Sequence, residues 1–183
     1  MKLRSKAVTK PGTAQGTVVA VMETPRGNHN KYKYDEKTRR IKLSKVMPEG
    51  MMFPYDFGFF PHTRTGDGDP LDVLILSDES TFPGCQIDCR LIRVIKAEQI
   101  EQGKQSRNDR LIAVAEASVF YSGVRELSDL EPVVLKQIED FFVNYQKERN
   151  IEFEIVGREG SQSAAKVLQT ARRKPRRTYQ ERA

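Results

Sequence analysis

The sequence predicts an α+β fold that is mainly β, with a small closed barrel as the natural way to leave no exposed sheet edge. Two observations carry this prediction. Short apolar or alternating runs separated by turn residues occupy the first 117 residues of the chain. Two segments with helical spacing come only after residue 128, and no internal repeat interrupts this order. Strands first and helices last are typical of α+β domains.

Six strands are predicted, three of them early in the chain. Thr17–Met22 is an apolar run, and Lys31–Tyr34 and Arg40–Ser44 flank a turn. Three later runs are rich in Val, Ile and Leu, as buried strands are: Leu71–Leu76, Ile87–Lys96 and Leu111–Ala117. The polar stretch Gln99–Asn108 is expected to be a flexible insertion.

Two helices are expected near the end of the chain. The first is capped by Asp129 and has Pro132 in its first turn, where a missing N–H costs least. Its apolar face repeats at helical spacing through Val134, Ile138, Phe141 and Tyr145. The second follows Gly160 and runs from Ser161 to about Arg173. Its predicted buried face is Ala164, Val167, Leu168 and Ala171.

Composition indicates one domain with basic ends. Of 183 residues, 38% are hydrophobic, which is enough for one core. The net charge of +6 is concentrated in the tails, because residues 1–11 carry +4 and residues 171–183 carry +5, which leaves the body at −3. A nucleic-acid-binding fold should carry its positive charge across its surface, so such binding is expected only weakly, through the tails. We therefore expect a basic arm at 1–15, one domain at 16–171 and a basic tail at 172–183.

Targeting and redox features are sparse. No apolar run approaches the ~20 residues that a membrane span needs, so no membrane partner is expected. The charged start of the chain is not followed by a hydrophobic signal segment, and a cytoplasmic location is therefore expected. Cys85 and Cys89 are the only cysteines, and we expect them to be reduced core residues.

The most informative stretch is Gly66–Leu76, in which Asp67, Asp69 and Asp72 precede an unbroken apolar run. Asp67 and Asp69 are two residues apart, so an extended backbone points them the same way, and Asp72 stands at the mouth of a predicted buried strand. Repulsion among three such carboxylates is relieved by a hard cation such as Mg²⁺ or Mn²⁺. An EF-hand is excluded because an EF-hand loop starting at Asp67 would have a ligand and a glycine where this chain has Leu71 and Asp72. A solvated Asp/Gly turn remains the alternative.

Charged and aromatic residues occur on both sides of the aspartate cluster in a distinctive order along the chain. They are Glu23, Lys31-Tyr32, Lys45, the Phe-Pro-x-x-Phe-Gly element at Phe53–Gly58, Asp67-Gly68-Asp69-Pro70-Leu71-Asp72-Val73, Pro83-Gly84 and Phe141-Phe142-x-x-Tyr145. In order and spacing these elements resemble the family I soluble inorganic pyrophosphatases over roughly residues 16–170. Taken singly, Glu23 also fits a polar strand end, Lys31 a surface strand residue and Tyr145 a core aromatic.

The resemblance implies a five-stranded OB-like barrel and Mg²⁺-dependent hydrolysis of pyrophosphate to two phosphates, with Mn²⁺ as a possible substitute. It implies that Asp69 is the catalytic base, and that Asp67, Asp69, Asp72 and Glu23 serve the metal ions. It also implies that substrate phosphates are bound by Lys31, Lys45, Arg110 and Tyr145. Symmetric assemblies are common among bacterial members, so a homo-oligomer is expected.

Several positions depart from the family pattern. Lys33 stands where the family usually has Glu, and Phe53 and Phe57 stand where Tyr is common. Lys45 replaces an Arg, so a forked phosphate contact becomes a point charge.

Further departures affect the acids and one lysine of the family pattern. Asn108 takes the place of an acid, although a one-residue bulge would offer Asp109 as a metal ligand instead. Gln146 replaces a lysine, for which Lys147 is the nearest substitute.

Two other functions compete with pyrophosphate hydrolysis. Fewer acids and more cations suit hydrolysis of another small phosphoanhydride, since fold likeness alone does not set the substrate. A non-catalytic binding or scaffold protein on the same fold is the third reading, with the basic tails as its contact. Three clustered carboxylates argue against it, because they are costly to keep without a metal ion.

Overall fold

The protein is a closed five-stranded barrel with two helices packed on it and a separate two-stranded hairpin. The computed structural model describes residues 16–66 and 68–172. The elements are β1 (Val18–Thr24), β2 (Asn30–Asp35), β3 (Arg40–Val46), β4 (Asp56–Phe60), β5 (Leu71–Leu76), β6 (Gln86–Glu101), β7 (Lys104–Arg107), β8 (Arg110–Ala115), α1 (Pro132–Lys147), β9 (Glu152–Gly160) and α2 (Ser161–Ala171). Asp67, the basic arm and residues 173–183 of the basic tail lie outside the described residues.

β1 closes the barrel because it pairs along both of its edges. It runs antiparallel to β4, with Val21 opposite Phe59, and antiparallel to β6, with Val18 opposite Cys89. The ring continues from β4 to β5, β8 and β6, and only the β5–β8 pair is parallel. The predicted α+β class and the closed five-stranded barrel are confirmed.

The two faces of the barrel wall belong to different hydrophobic clusters. Leu71 and Val73 of β5 point into the cluster that draws residues from all five barrel strands and therefore fills the barrel, and α2 adds Leu168 to it. Leu74 points the opposite way, into a cluster to which α1 adds Ile138. Both helices thus bury one face against the barrel, as their spacing predicted.

The start of α1 differs from the prediction. The helix begins at Pro132, and Glu131 rather than Asp129 occupies the N-cap position. The Asp129 carboxylate instead accepts the backbone N–H groups of Arg125 and Glu126 at 2.8 and 2.9 Å. A short acidic side chain bonds backbone N–H groups in a turn as readily as at a helix start, so the sequence could not separate the two.

The expectation of a flexible insertion at Gln99–Asn108 was wrong. β6 continues to Glu101, turns through Gln102 and Gly103, and returns as β7. Both turn residues have positive φ, 52° and 75°, which is the backbone of a two-residue hairpin turn. The segment is polar because its side chains are mostly exposed and not because it lacks structure.

Strands β4 and β9 were not expected from the sequence pattern. All five residues of β4 are buried, so the strand shows no alternation of apolar and polar residues. β9 does alternate between half-buried and exposed residues, and it pairs with the outer half of β6. Its many charged residues hide that pattern.

Cys85 and Cys89 are both free, as predicted. Cys89 is buried in the barrel cluster, and burial raises the pKa of its thiol to about 12. In the described part of the chain, no helix combines the length and the apolar character needed to cross a membrane.

Gly58 lets β1 and β4 approach each other closely. A Cβ atom at this position would lie 2.2 Å from the backbone oxygen of Val21, well inside contact distance. The neighbouring side chains of Phe57 and Phe59 line the cleft described below. The close approach therefore sets both the closure of the barrel and the position of one cleft wall.

We expect Gly58→Ala to lower the free energy of unfolding by about 3 kcal/mol, because the strands must move apart to accept the methyl group. Urea unfolding followed by circular dichroism measures the change. The matched control is Gly123→Ala, since no atom lies within 4 Å of the added Cβ there. Equal unfolding midpoints for the two variants would contradict the assigned role of Gly58.

Candidate active site

A cleft of about 300 Å³ is lined by residues of β1 to β8 and α1. Eight of the nine site residues predicted from the sequence line it: Glu23, Lys31, Lys45, Asp69, Asp72, Asp109, Arg110 and Tyr145. The ninth, Asp67, lies outside the described residues. The strands that carry these groups are far apart in sequence, and closure of the barrel brings their ends together.

Glu23 is buried in the cleft wall with 5% of its surface exposed. A bulge between Met22 and Thr24 shifts the register of β1 against β4, and a bulge re-aims the side chain at its position. Glu23 Oε1 accepts the N–H of Tyr34 at 2.6 Å. Burial raises the pKa of Glu23 to about 7, and the charge of Asp72 adds to the rise. This carboxylate would be stabilised by additional positive charge nearby.

Lys31 holds its ammonium among three aromatic rings. Its Nζ lies 5.0 Å from the ring centroid of Phe57, 5.4 Å from that of Tyr145 and 5.8 Å from that of Phe53. Ring faces attract a cation, which partly replaces the water that the ammonium has lost. Desolvation lowers the pKa of Lys31 to about 8, although the charge of Asp72 opposes the fall. An anion in the cleft would restore the stability of the charged form.

Two ion pairs cross the cleft. Arg110 Nη1 lies 2.8 Å from Asp72 Oδ2, and both side chains are largely buried, at 10% and 26% exposed. Lys33 Nζ lies 2.6 Å from Asp69 Oδ2, at 44% and 55% exposed. The first pair is held inside the site, and the second lies at its mouth.

The side of the cleft built by β6 and β7 carries amides as well as carboxylates. Asn108 donates a hydrogen bond to Gln99 Oε1, and Gln146 donates to the same oxygen at 3.4 Å. Asp109 reaches the cleft, but its carboxylate already accepts the N–H of Ala97 at 3.2 Å and Arg107 Nε at 2.7 Å. Glu101 of β6 also lines the cleft, so this side combines amides, the already paired Asp109 and one further carboxylate.

Sequence reasoning missed two arginines of the cleft, Arg107 and Arg149. Arg149 lies four residues after Tyr145, and its guanidinium carbon is 5.5 Å from the centroid of that ring. Helical spacing from Tyr145 could have identified it. Lys147, expected as the substitute for a missing lysine, is exposed and does not line the cleft. The sequence around Arg107 gave no such signal, because the β6–β7 hairpin brings this residue to the cleft.

Two buried donors in the cleft have no hydrogen-bond partner among the described residues. They are the hydroxyl of Tyr145 and Nε of Arg110. Tyr145 is 4% exposed and Arg110 is 9% exposed. Native proteins rarely leave such groups unsatisfied unless a ligand completes them. An anionic ligand in the cleft would provide acceptors for both donors.

The donor chemistry of the cleft fits a hard divalent cation. Glu23, Asp69 and Asp72 supply carboxylate oxygens, and neither cysteine is in the lining. Within residues 16–66 and 68–172, however, no three acidic, histidine or cysteine side chains converge into a ready ligand set. Asp67, which the sequence predicts as a further metal ligand, lies outside the described residues.

Comparison with known proteins settles the family. The family model described as inorganic pyrophosphatase matches residues 20–175. The chain belongs to this family. It is 34% identical to the inorganic pyrophosphatase of Methanosarcina acetivorans over 152 residues, which are 83% of this chain and 88% of that protein. It is 35% identical to the inorganic pyrophosphatase of Haloferax volcanii over 159 residues, which are 86% of this chain and 88% of that protein.

Solved pyrophosphatases share the barrel. The inorganic pyrophosphatase of Helicobacter pylori superposes with a TM-score of 0.79 at 28% identity, covering 93% of this chain and 96% of the other. The resemblance stated from motif order is thus confirmed over almost the whole described region.

The unpaired hydroxyl of Tyr145 gives a direct test of anion binding. Tyr145→Phe should leave the free energy of unfolding unchanged or slightly higher, since no described group loses a hydrogen bond. It should weaken binding of inorganic phosphate about tenfold, because a hydrogen bond to a charged acceptor is lost. Isothermal titration and urea unfolding give the two values.

The matched control is Tyr32→Phe. The Tyr32 hydroxyl accepts a hydrogen bond from Asn30 Nδ2 at 3.3 Å, and Tyr32 does not line the cleft. This variant should keep phosphate binding at the wild-type level. Equal phosphate affinity in wild type and Tyr145→Phe would remove Tyr145 from the anion site.

Proposed function

We propose that this chain hydrolyses inorganic pyrophosphate to two phosphates in a reaction that requires Mg²⁺, for which Mn²⁺ can substitute. The observation that carries the proposal is the cleft itself. It sets oxygen ligands for a cation beside Lys31, Arg110 and Tyr145, whose charged or unsatisfied donors suit phosphate oxygens. Family membership supports the same reaction.

Asp67, Asp69, Asp72 and Glu23 would hold the divalent cations. A cation bound there would neutralise phosphate charge and lower the pKa of a water molecule, so that the water loses its proton more readily when it attacks phosphorus. Glu23 suits this task because burial and the charge of Asp72 destabilise its ionised carboxylate, and a nearby cation would stabilise it. Asp72 is positioned by the end of β5 and by its pair with Arg110.

Lys31, Lys45, Arg110 and Tyr145 would bind the two phosphoryl groups. Lys31 and Lys45 face each other across the β2–β3 hairpin, so the hairpin presents two point charges to the cleft. The unpaired Nε–H of Arg110 can donate a hydrogen bond to a phosphate oxygen while Nη1 stays paired with Asp72. Charge neutralisation and positioning supply most of the rate in phosphoryl transfer.

Asp69 would accept the proton of the attacking water. Its side chain is 55% exposed, so water can reach it. The water oxygen forms the new bond to phosphorus, and the bridging P–O bond breaks. The second phosphate leaves with the bridging oxygen and takes up a proton.

A second candidate is hydrolysis of a longer phosphoanhydride such as tripolyphosphate. The observation in its favour is Arg149, which adds positive charge to the cleft beyond the four predicted phosphate ligands. The Arg149 guanidinium is oriented by Gln146 Oε1, which accepts its Nη1 at 2.6 Å. An extra phosphoryl group would find a fixed partner there.

Asp69→Asn should reduce phosphate release from pyrophosphate at least ~100-fold with either Mg²⁺ or Mn²⁺, because a general base contributes about that much. Colorimetric detection of phosphate with purified protein measures the rate. Asp88→Asn is the control, since it removes the same charge from an exposed position outside the cleft. An active Asp69→Asn variant would exclude Asp69 as the base, and an inactive wild-type protein would exclude the function.

Arg149→Gln separates the two candidate substrates. If the longer substrate is the natural one, kcat/KM for tripolyphosphate should fall about tenfold while the value for pyrophosphate changes less than about twofold. Steady-state kinetics on both substrates gives the ratio, with the exposed Arg40→Gln as control. Equal losses on the two substrates would place Arg149 at the pyrophosphate site and remove the argument for a longer substrate.

A further inference from the structure

The Lys33–Asp69 ion pair places a cation where the proposed function needs a metal ion. We infer that the Lys33 ammonium is a built-in counter-cation of Asp69, which a divalent ion must displace before it can use this carboxylate. The cleft then binds divalent ions more weakly than its set of carboxylates alone would allow. This inference rests on the metal-dependent function proposed above and concerns the same site.

The geometry of the contact is direct. Lys33 Nζ lies 2.6 Å from Asp69 Oδ2, the distance of a charge-assisted hydrogen bond. Lys33 is carried by β2, and Asp69 lies in the segment just before β5. Both residues line the cleft together with Glu23 and Asp72. The ammonium therefore occupies a part of the cleft that the acidic groups share.

Lys33 carries a full charge at neutral pH. Partial burial is the largest single influence and lowers the pKa of its ammonium, but the hydrogen bond to Asp69 and the charges of Asp69, Glu23 and Asp72 together outweigh it, so the pKa is raised. The three carboxylates thus already have the Lys33 charge near them, in addition to the Arg110 guanidinium that is paired with Asp72. A divalent ion in their midst would be repelled by the Lys33 ammonium as well as attracted by the carboxylates.

Lys33 is the movable cation of the site. Its side chain is 44% exposed and that of Asp69 is 55% exposed, so water can replace each partner when the pair opens. Arg110 is held more firmly at Asp72, because it is only 10% exposed, bonds the Asp109 carbonyl and packs over the Phe142 ring. Competition with a metal ion is therefore expected at Asp69 rather than at Asp72.

The test is the affinity for Mn²⁺ in the absence of phosphate compounds, measured by isothermal titration and by the electron paramagnetic resonance signal of free Mn²⁺. Lys33→Met removes the charge and keeps the length of the side chain. Its dissociation constant for Mn²⁺ should be about tenfold lower than that of wild type, since a unit charge a few ångströms away is removed. Lys33→Gln should show a similar gain, and Lys33→Arg should remain near wild type.

The matched control is Lys37→Met, which removes the same charge from an exposed position in the turn of the same hairpin. It should leave Mn²⁺ affinity within about twofold of wild type. Equal affinities for wild type and Lys33→Met would overturn the inference, as would an equal gain in Lys37→Met, which would indicate a general effect of net charge.

Phosphate release is measured on the same samples to separate the inference from the proposed function. An affinity gain confined to the Lys33 variants supports the counter-cation even if no variant hydrolyses pyrophosphate. Hydrolysis by all variants with unchanged Mn²⁺ affinity would retain the function and reject the counter-cation.

Discussion

Closure of the barrel through β1 is the constraint on which the site depends. β1 pairs with β4 on one edge and with β6 on the other, and the contact with β4 is close because Gly58 has no side chain. The ring fixes the register of β4 against β5 and of β5 against β8. As a result, Glu23, Asp72 and Arg110 meet at one cleft, although 87 positions separate the first from the last.

Once gathered, these groups both attract and repel one another, since Arg110 pairs with Asp72 while the charge of Asp72 disfavours the ionised form of Glu23. Burial raises the pKa of Glu23 and lowers that of Lys31, so loss of hydration destabilises the charged form of each side chain. Arg110 and Tyr145 keep donors without described acceptors. Such an arrangement costs folding free energy and is usual where a protein holds a site ready for a ligand. The aromatic cage around Lys31 limits that cost.

Much of the fold and site was accessible from the sequence, and the failures have a common cause. The spacing of Asp69 and Asp72 before an apolar run, and the helical spacing that ends at Tyr145, are local signals, and both residues line the cleft. The contact of Lys33 with Asp69 joins residues 36 positions apart, which no local pattern encodes. Strand β4 was missed because it is buried on all sides, and Arg107 because it depends on a hairpin whose turn is marked only by Gln102-Gly103.

The double pairing of β1 also has a consequence for how the chain folds. Its second edge is completed only by residues 86 to 89, so β1 must wait for a segment made much later in synthesis. Pairings over such long separations slow folding, because loop closure is needed before the contacts can form. Until then one edge of β1 is open to pairing with other chains, which is a route to aggregation of the nascent protein.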